Sequence, residues 1–209
     1  MNNYESRLET YFKLSSAISS ISTGKINQLL EKDQFHSGWG TTHRIAIKNR
    51  KVFVKKFPLT KKEYSDPFNT SNHFNIPLFY NYGVGSAGFG AFRELCSHIK
   101  TTNWVLEGKC QNFPLMYHYR IVPRSGKVSA FNAKSHQAYV KKWNSEKSID
   151  RYVRERHNSP FEVLVFLENI PDCLYPKCYK DEEVLLFLFQ FCLISGRRSR
   201  KTIYKKMLA

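Results

Sequence analysis

A lysine closes the apolar stretch Val52-Phe53-Val54-Lys55, and a glutamate stands inside Phe92-Arg93-Glu94-Leu95. Alternation along the first stretch places the lysine at the end of a strand. Leu95 and Ile99 share one face of a helix, so Glu94 lies on the neighbouring edge of that face. An ammonium and a carboxylate carried by two different elements form an ion pair. Upstream stands the pair Gly38-Trp39-Gly40, where the absence of side chains lets backbone N–H groups approach an anion closely. Downstream, the run Val163 to Leu167 leads into Glu168-Asn169-Ile170-Pro171, an aliphatic strand entering a turn. Each feature has an ordinary alternative: a turn before a strand, a solvated lysine, a surface glutamate and a buried strand end.

The elements that must carry these residues follow from periodicity. Leu8, Tyr11, Phe12, Ile18, Ile21, Ile26, Leu29 and Leu30 have helical spacing. The run Ser22-Thr23-Gly24 interrupts them, which predicts two short helices with a break at Gly24. From Gln34 to Leu59, Ile45 and Ile47 alternate with polar or small residues, Asn49-Arg50 supplies a turn, and Val52 and Val54 resume the alternation: a β-hairpin. Residues 60 to 90 show no period and read as a long ordered loop. A helix is expected over Ala91 to Leu106 and strands over Phe113 to Val122 and Phe161 to Ile170. Between those strands lies a polar, partly helical insertion, residues 123 to 160. A weak helix, Glu182 to Ile194, precedes a basic tail.

Composition narrows the classes. The chain has 209 residues, 42% of them apolar, enough for a globular core and unlike a disordered polymer. Its net charge of +16 attracts polyanions such as nucleic acid, acidic membrane or nucleotide phosphates. Five cysteines at irregular spacing suit a reducing compartment better than a disulfide framework, and Cys173 and Cys178 are too far apart for the usual zinc pair. No secretory signal is visible, and the run Val184 to Ile194 is too short to span a bilayer. The expected location is therefore cytoplasmic, with no membrane partner.

The order of the features is glycine pair, hairpin, lysine, helix with glutamate, strand, strand, hinge. In that order the chain resembles the N-terminal lobe of the protein-kinase-like superfamily over roughly residues 34 to 171, and the stretch Tyr80 to Arg120 looks like a group of bacterial kinase-like proteins. The resemblance implies an α+β fold: a small antiparallel sheet with a C-type helix, extra N-terminal helices and a short helical tail. It divides the chain into an N-terminal helical segment (1–33), an N-lobe (34–171) with insertions at 60–90 and 123–160, and a basic C-terminal tail (172–209). It further implies that Gly38 and Gly40 cover phosphates, although His43 stands where the third glycine would be and Ile45 fills the final aliphatic position. Lys55 would bind the α- and β-phosphates of ATP, held there by Glu94. Leu167 would be the gatekeeper, and the Glu168 carbonyl and Ile170 N–H would meet the adenine edge. Two departures stand out. Phe53, on the face of Lys55, replaces a small alanine and is large enough to fill the nucleotide pocket. Lys55 and Glu94 also lie farther apart in sequence than is usual, which makes 60–90 an insertion.

Two further landmarks of the family are absent. Of Asp33, Asp66, Asp150, Asp172 and Asp181, none follows a histidine by two places or precedes a glycine by two. Neither the catalytic-base nor the metal-binding aspartate is recognisable. The expectation is a truncated kinase-like N-lobe with no catalytic residues and no metal ligands of its own. It would bind ATP and magnesium weakly and be inactive alone, its missing C-lobe or a protein being the natural partner. The alternatives are a basic nucleic-acid-binding module and a pseudokinase-like protein-interaction domain.

Overall fold

The computed structural model describes residues 3–31, 34–36, 40–81, 83, 85–88, 90–124 and 131–170. The chain divides into two units, Met1–Asn169 and Ile170–Ala209. Apart from Ile170, the second unit lies outside the described residues, as do the helix expected over 182–194 and the basic tail. Within the first unit the fold is α+β, as expected.

Two helices open the chain, α1 (Asn3–Ser20) and α2 (Thr23–Leu30). Ser22 is the N-cap of α2, accepting a hydrogen bond from the Lys25 N–H, so the break falls at Ile21-Ser22 and Gly24 lies inside the second helix. Strands β1 (Gln34–His36), β2 (Thr41–Ile47) and β3 (Arg50–Leu59) follow as antiparallel neighbours. The β2–β3 turn is Lys48-Asn49, one residue earlier than expected. Both residues have positive φ, 49° and 60°, as a two-residue hairpin turn that matches strand twist requires.

The region expected to be an ordered loop, 60–90, carries two single-turn helices, α3 (Lys61–Tyr64) and α4 (Leu78–Asn81). Helix α5 spans Ala91–Leu106, the expected range. Strand β4 is Met116–Pro123, helices α6 (Ala133–Lys142) and α7 (Lys147–His157) form the insertion, and β5 is Phe161–Glu168, ending two residues short of Ile170.

The sheet order is β1-β2-β3-β5-β4, with all neighbours antiparallel. Strand β5, flanked by β3 and β4, is buried on both faces, Glu162 to Leu167 without a break, which explains its continuous rather than alternating apolar run. One face packs Val52, Val54, Leu164 and Phe166 against Leu14 and Ile18 of α1 and Ile26 and Leu30 of α2. The other packs Phe57, Leu59, Val163, Val165 and Leu167 against Phe92 and Leu95 of α5. The boundary drawn at residue 33 therefore separates elements, not compact bodies: the N-terminal helices cover one face of the sheet. Segments 60–90 and 131–160 make a third core together, in which Phe74, Ile76 and Tyr80 meet Trp143, Ile149, Tyr152 and Val153.

A candidate anion site on the third strand and the long helix

Strand alternation aims Phe53, Lys55, Phe57 and Leu59 at the α5 side of the sheet. The first turn of α5 carries Glu94 to the same side. There the Lys55 ammonium lies 2.5 Å from Glu94 Oε1, with both side chains about one-third exposed (31% and 32%). The contact is an ion pair by distance. An ammonium has three N–H donors, so Lys55 can meet a second anionic group as well.

One turn along α5, His98 Nε2 lies 3.9 Å from the same Glu94 oxygen. Burial pushes the His98 pKa below its ordinary value, with Lys55 acting the same way and Glu94 opposing both. At neutral pH His98 is uncharged, and Lys55 is the cation that Glu94 meets at short range.

A buried charged group also feels the charge of Glu94. Arg156 of α7 is 4% exposed and donates from Nη1 to the Tyr152 hydroxyl at 3.0 Å. Burial works to lower its pKa, yet Tyr152, Glu63 and Glu94 together leave it raised. The guanidinium is thus a fixed positive charge that both carboxylates stabilise.

Glu63 of α3, 2% exposed, is the most heavily bonded of these groups. Its Oε2 accepts from Thr60 N–H at 2.8 Å and from the Thr60 hydroxyl at 2.7 Å, and its Oε1 accepts from Ala91 N–H at 2.7 Å. Sequence reasoning passed over Glu63, although Thr60-Lys61-Lys62-Glu63 is the pattern of a capping box.

Gly38 and its neighbour Trp39 lie outside the described residues. Gly40 abuts the neighbouring strand: a Cβ there would sit 2.3 Å from the Lys56 carbonyl oxygen, so the close approach of β2 to β3 explains this glycine. Ile45 pairs with Val52 and packs on the α1–α2 face, opposite to Lys55. The residues of β2 facing the α5 side are Thr42, Arg44 and Ala46, with Arg44 directly across from Phe53. Phe53 is half-buried and packs against the α5-side core. Leu167 is buried in that core, opposite Met116.

Glu168 has a structural task. Its carboxylate accepts from Arg7 of α1, with Nε at 2.8 Å and Nη2 at 2.6 Å, and from Leu115 N–H at 3.1 Å, while its own N–H donates to the Leu115 carbonyl. Ile170 is exposed and belongs to the second unit.

The Lys55–Glu94 pair thus offers one partly exposed cation to an anionic group. A paired, partly exposed ammonium suits anionic oxygen, whereas Phe53 occupies the adjoining surface and the aliphatic residue of β2 faces away. Among the described residues no cluster of three His, Cys, Asp or Glu side chains is placed to hold a metal ion, and no helix is long and apolar enough to cross a membrane. No family model matches the chain, and no curated protein matches it.

Proposed function

We propose that this chain is a kinase-like N-lobe that grips the phosphates of a nucleotide weakly through Lys55 and performs no phosphoryl transfer by itself. The observation that carries the reading is the ion pair of a third-strand lysine with a first-turn glutamate of the helix covering that face, 2.5 Å apart. The strand order β1-β2-β3-β5-β4 supports it. Lys55 would hold α- and β-phosphate oxygens and Glu94 would hold Lys55. Magnesium would arrive with the nucleotide, since no residue of the chain is assigned to it. Affinity would rest on charge with little contribution from the base, so a Kd on the order of 1 mM, about −4 kcal/mol, is expected.

Calorimetric or fluorescence titration with ATP, inorganic triphosphate and adenosine tests this. ATP and triphosphate should bind alike, adenosine should not, and Lys55→Ala should remove binding of both anions. Tight binding of adenosine, or anion binding unaffected by Lys55→Ala, would overturn the reading.

A second reading, a basic nucleic-acid-binding surface, has one observation behind it. On the face of Lys55, exposed Arg44 and Lys51 flank the half-buried ring of Phe53. Cations beside an aromatic ring suit single-stranded nucleic acid. Oligonucleotide binding that weakens steeply with salt, and that triphosphate cannot displace, would favour this reading over the first.

A further inference from the structure

We propose that Glu63 is the positioning residue for the Lys55–Glu94 pair: its one buried carboxylate ties the end of the strand carrying Lys55 to the start of the helix carrying Glu94. Thr60 directly follows β3, and its N–H and hydroxyl both bond Glu63 Oε2. Ala91 is the first residue of α5, and its N–H bonds Glu63 Oε1. The two oxygens therefore bridge two elements whose only other tie along the chain is the long 60–90 segment. Glu94 lies three residues beyond the bridge and Lys55 five residues before it, so a tilt of α5 about its first turn changes the ion-pair distance directly.

Three further features fit a built strut. Gly90 adopts φ 142°, and a Cβ there would come 2.6 Å from Glu63 Oε1, so the chain leaves room for the carboxylate. The carboxylate sits at the positive end of the α5 dipole, where negative charge is stabilising. The positive charge of Arg156 on α7 acts favourably on Glu63 and Glu94. At its far end α5 is pinned separately, where Met116 N–H donates to Thr102 Oγ1 at 2.9 Å. Glu63 thus controls the end of the helix that matters for Lys55.

The inference concerns the pair itself and stands apart from what the pair binds. The test is competitive acylation of the full chain with isotopically labelled acetylating reagent, read by mass spectrometry. Ion pairing slows acylation of an amine. Lys56 is the internal control: it adjoins Lys55, points to the other face and pairs with Glu162 at 2.8 Å. Glu94→Gln, which removes the partner outright, should raise Lys55 acylation about two- to fivefold, the upper part of the span expected for a partly exposed ion pair. Glu63→Gln keeps the shape of the side chain but turns an amide N–H₂ toward one set of backbone donors. It should raise Lys55 acylation by at least half as much and leave Lys56 unchanged. Should Glu63→Gln fail to fold, Thr60→Val should show the same selective rise and Thr60→Ser should restore the wild-type rate.

A folded Glu63→Gln in which Lys55 keeps its wild-type rate overturns the proposal. So does a parallel rise at Lys55 and Lys56, which would mark general loosening. Failure of Glu94→Gln to change Lys55 would instead remove the pair, and with it the phosphate-gripping reading.

Discussion

Arg7, in the first helix, and Glu168, at the end of the last described strand, meet across 161 residues of sequence in a two-pronged ion pair at 2.8 and 2.6 Å. The same guanidinium also donates to the carbonyls of Gln111 and Phe113. One side chain thus joins α1, the approach to β4 and the end of β5. Both partners are about one-fifth exposed, so water replaces little of what a substitution removes.

Arg7→Ala is therefore expected to destabilise the chain by about 2–3 kcal/mol, through loss of charged hydrogen bonds at a partly buried site. That corresponds to a fall of roughly 5–10 °C in Tm for a chain of this size. Thermal melts by circular dichroism check it. A Tm within about 1 °C of wild type would show that the Arg7–Glu168 contact adds nothing to the other contacts of α1.

Gly40→Ala should damage stability independently of any ligand. Its Cβ would press on the Lys56 carbonyl at 2.3 Å, and neither strand can yield without breaking the Thr41–Lys56 pairing. A loss of about 2 kcal/mol or more in urea denaturation is expected, within the range for overpacking. A stable Gly40→Ala that loses only anion affinity would restore the loop role that the glycine spacing suggested.

The elements were largely legible in the sequence and the site only in part. The range of α5 and the hairpin of β2 and β3 follow from periodicity and turn chemistry, which are local. The pairing of Lys55 with Glu94 was inferred from element order, and the structure brings the two together. Residues 60–90 hid their structure because α3 and α4 are single turns, too short to show a period. Ile45 fits a motif by spacing, but strand register decides which face it serves, and register is set by pairing with β3. Arg7 carried no signal at all, because its role depends on a partner at the other end of the fold. Alternation alone predicts the face of Phe53, and it does lie on the side of Lys55.

Stability should fall as pH drops from 7 toward 5. Burial foremost pushes the pKa of both His98 and His118 below the ordinary value near 6.5, aided by Lys55 at the first and Arg120 at the second. A histidine whose folded pKa is depressed adds stability above its unfolded pKa. That stability is lost as pH falls from about 6.5 through the folded value, because the unfolded chain takes up the proton first. Urea midpoints measured across this window should decline, and His98→Gln should flatten part of the slope. A wild-type profile flat between pH 7 and 5 would contradict the burial of both rings.

Two successive lysines of β3 provide the sharpest contrast. Lys55 pairs with Glu94 at about one-third exposure for each partner, and Lys56 pairs with Glu162 on the opposite face at 14% and 8%. Solvent screens the first pair, and such pairs contribute about 0–1 kcal/mol. Removing Lys56 leaves the Glu162 carboxylate buried without its cation, which costs about 3 kcal/mol or more. Lys55→Ala should therefore stay close to wild type in urea denaturation, while Lys56→Ala shifts the midpoint strongly. Double-mutant cycles with Glu94→Gln and Glu162→Gln should give a small coupling for the first pair and a larger one for the second. If both lysines cost the same, burial does not separate their roles, and Lys55 is as much a part of the scaffold as Lys56. If the expected order holds, Lys55→Ala is a folded variant, and any anion binding it loses reports on the site rather than on the fold.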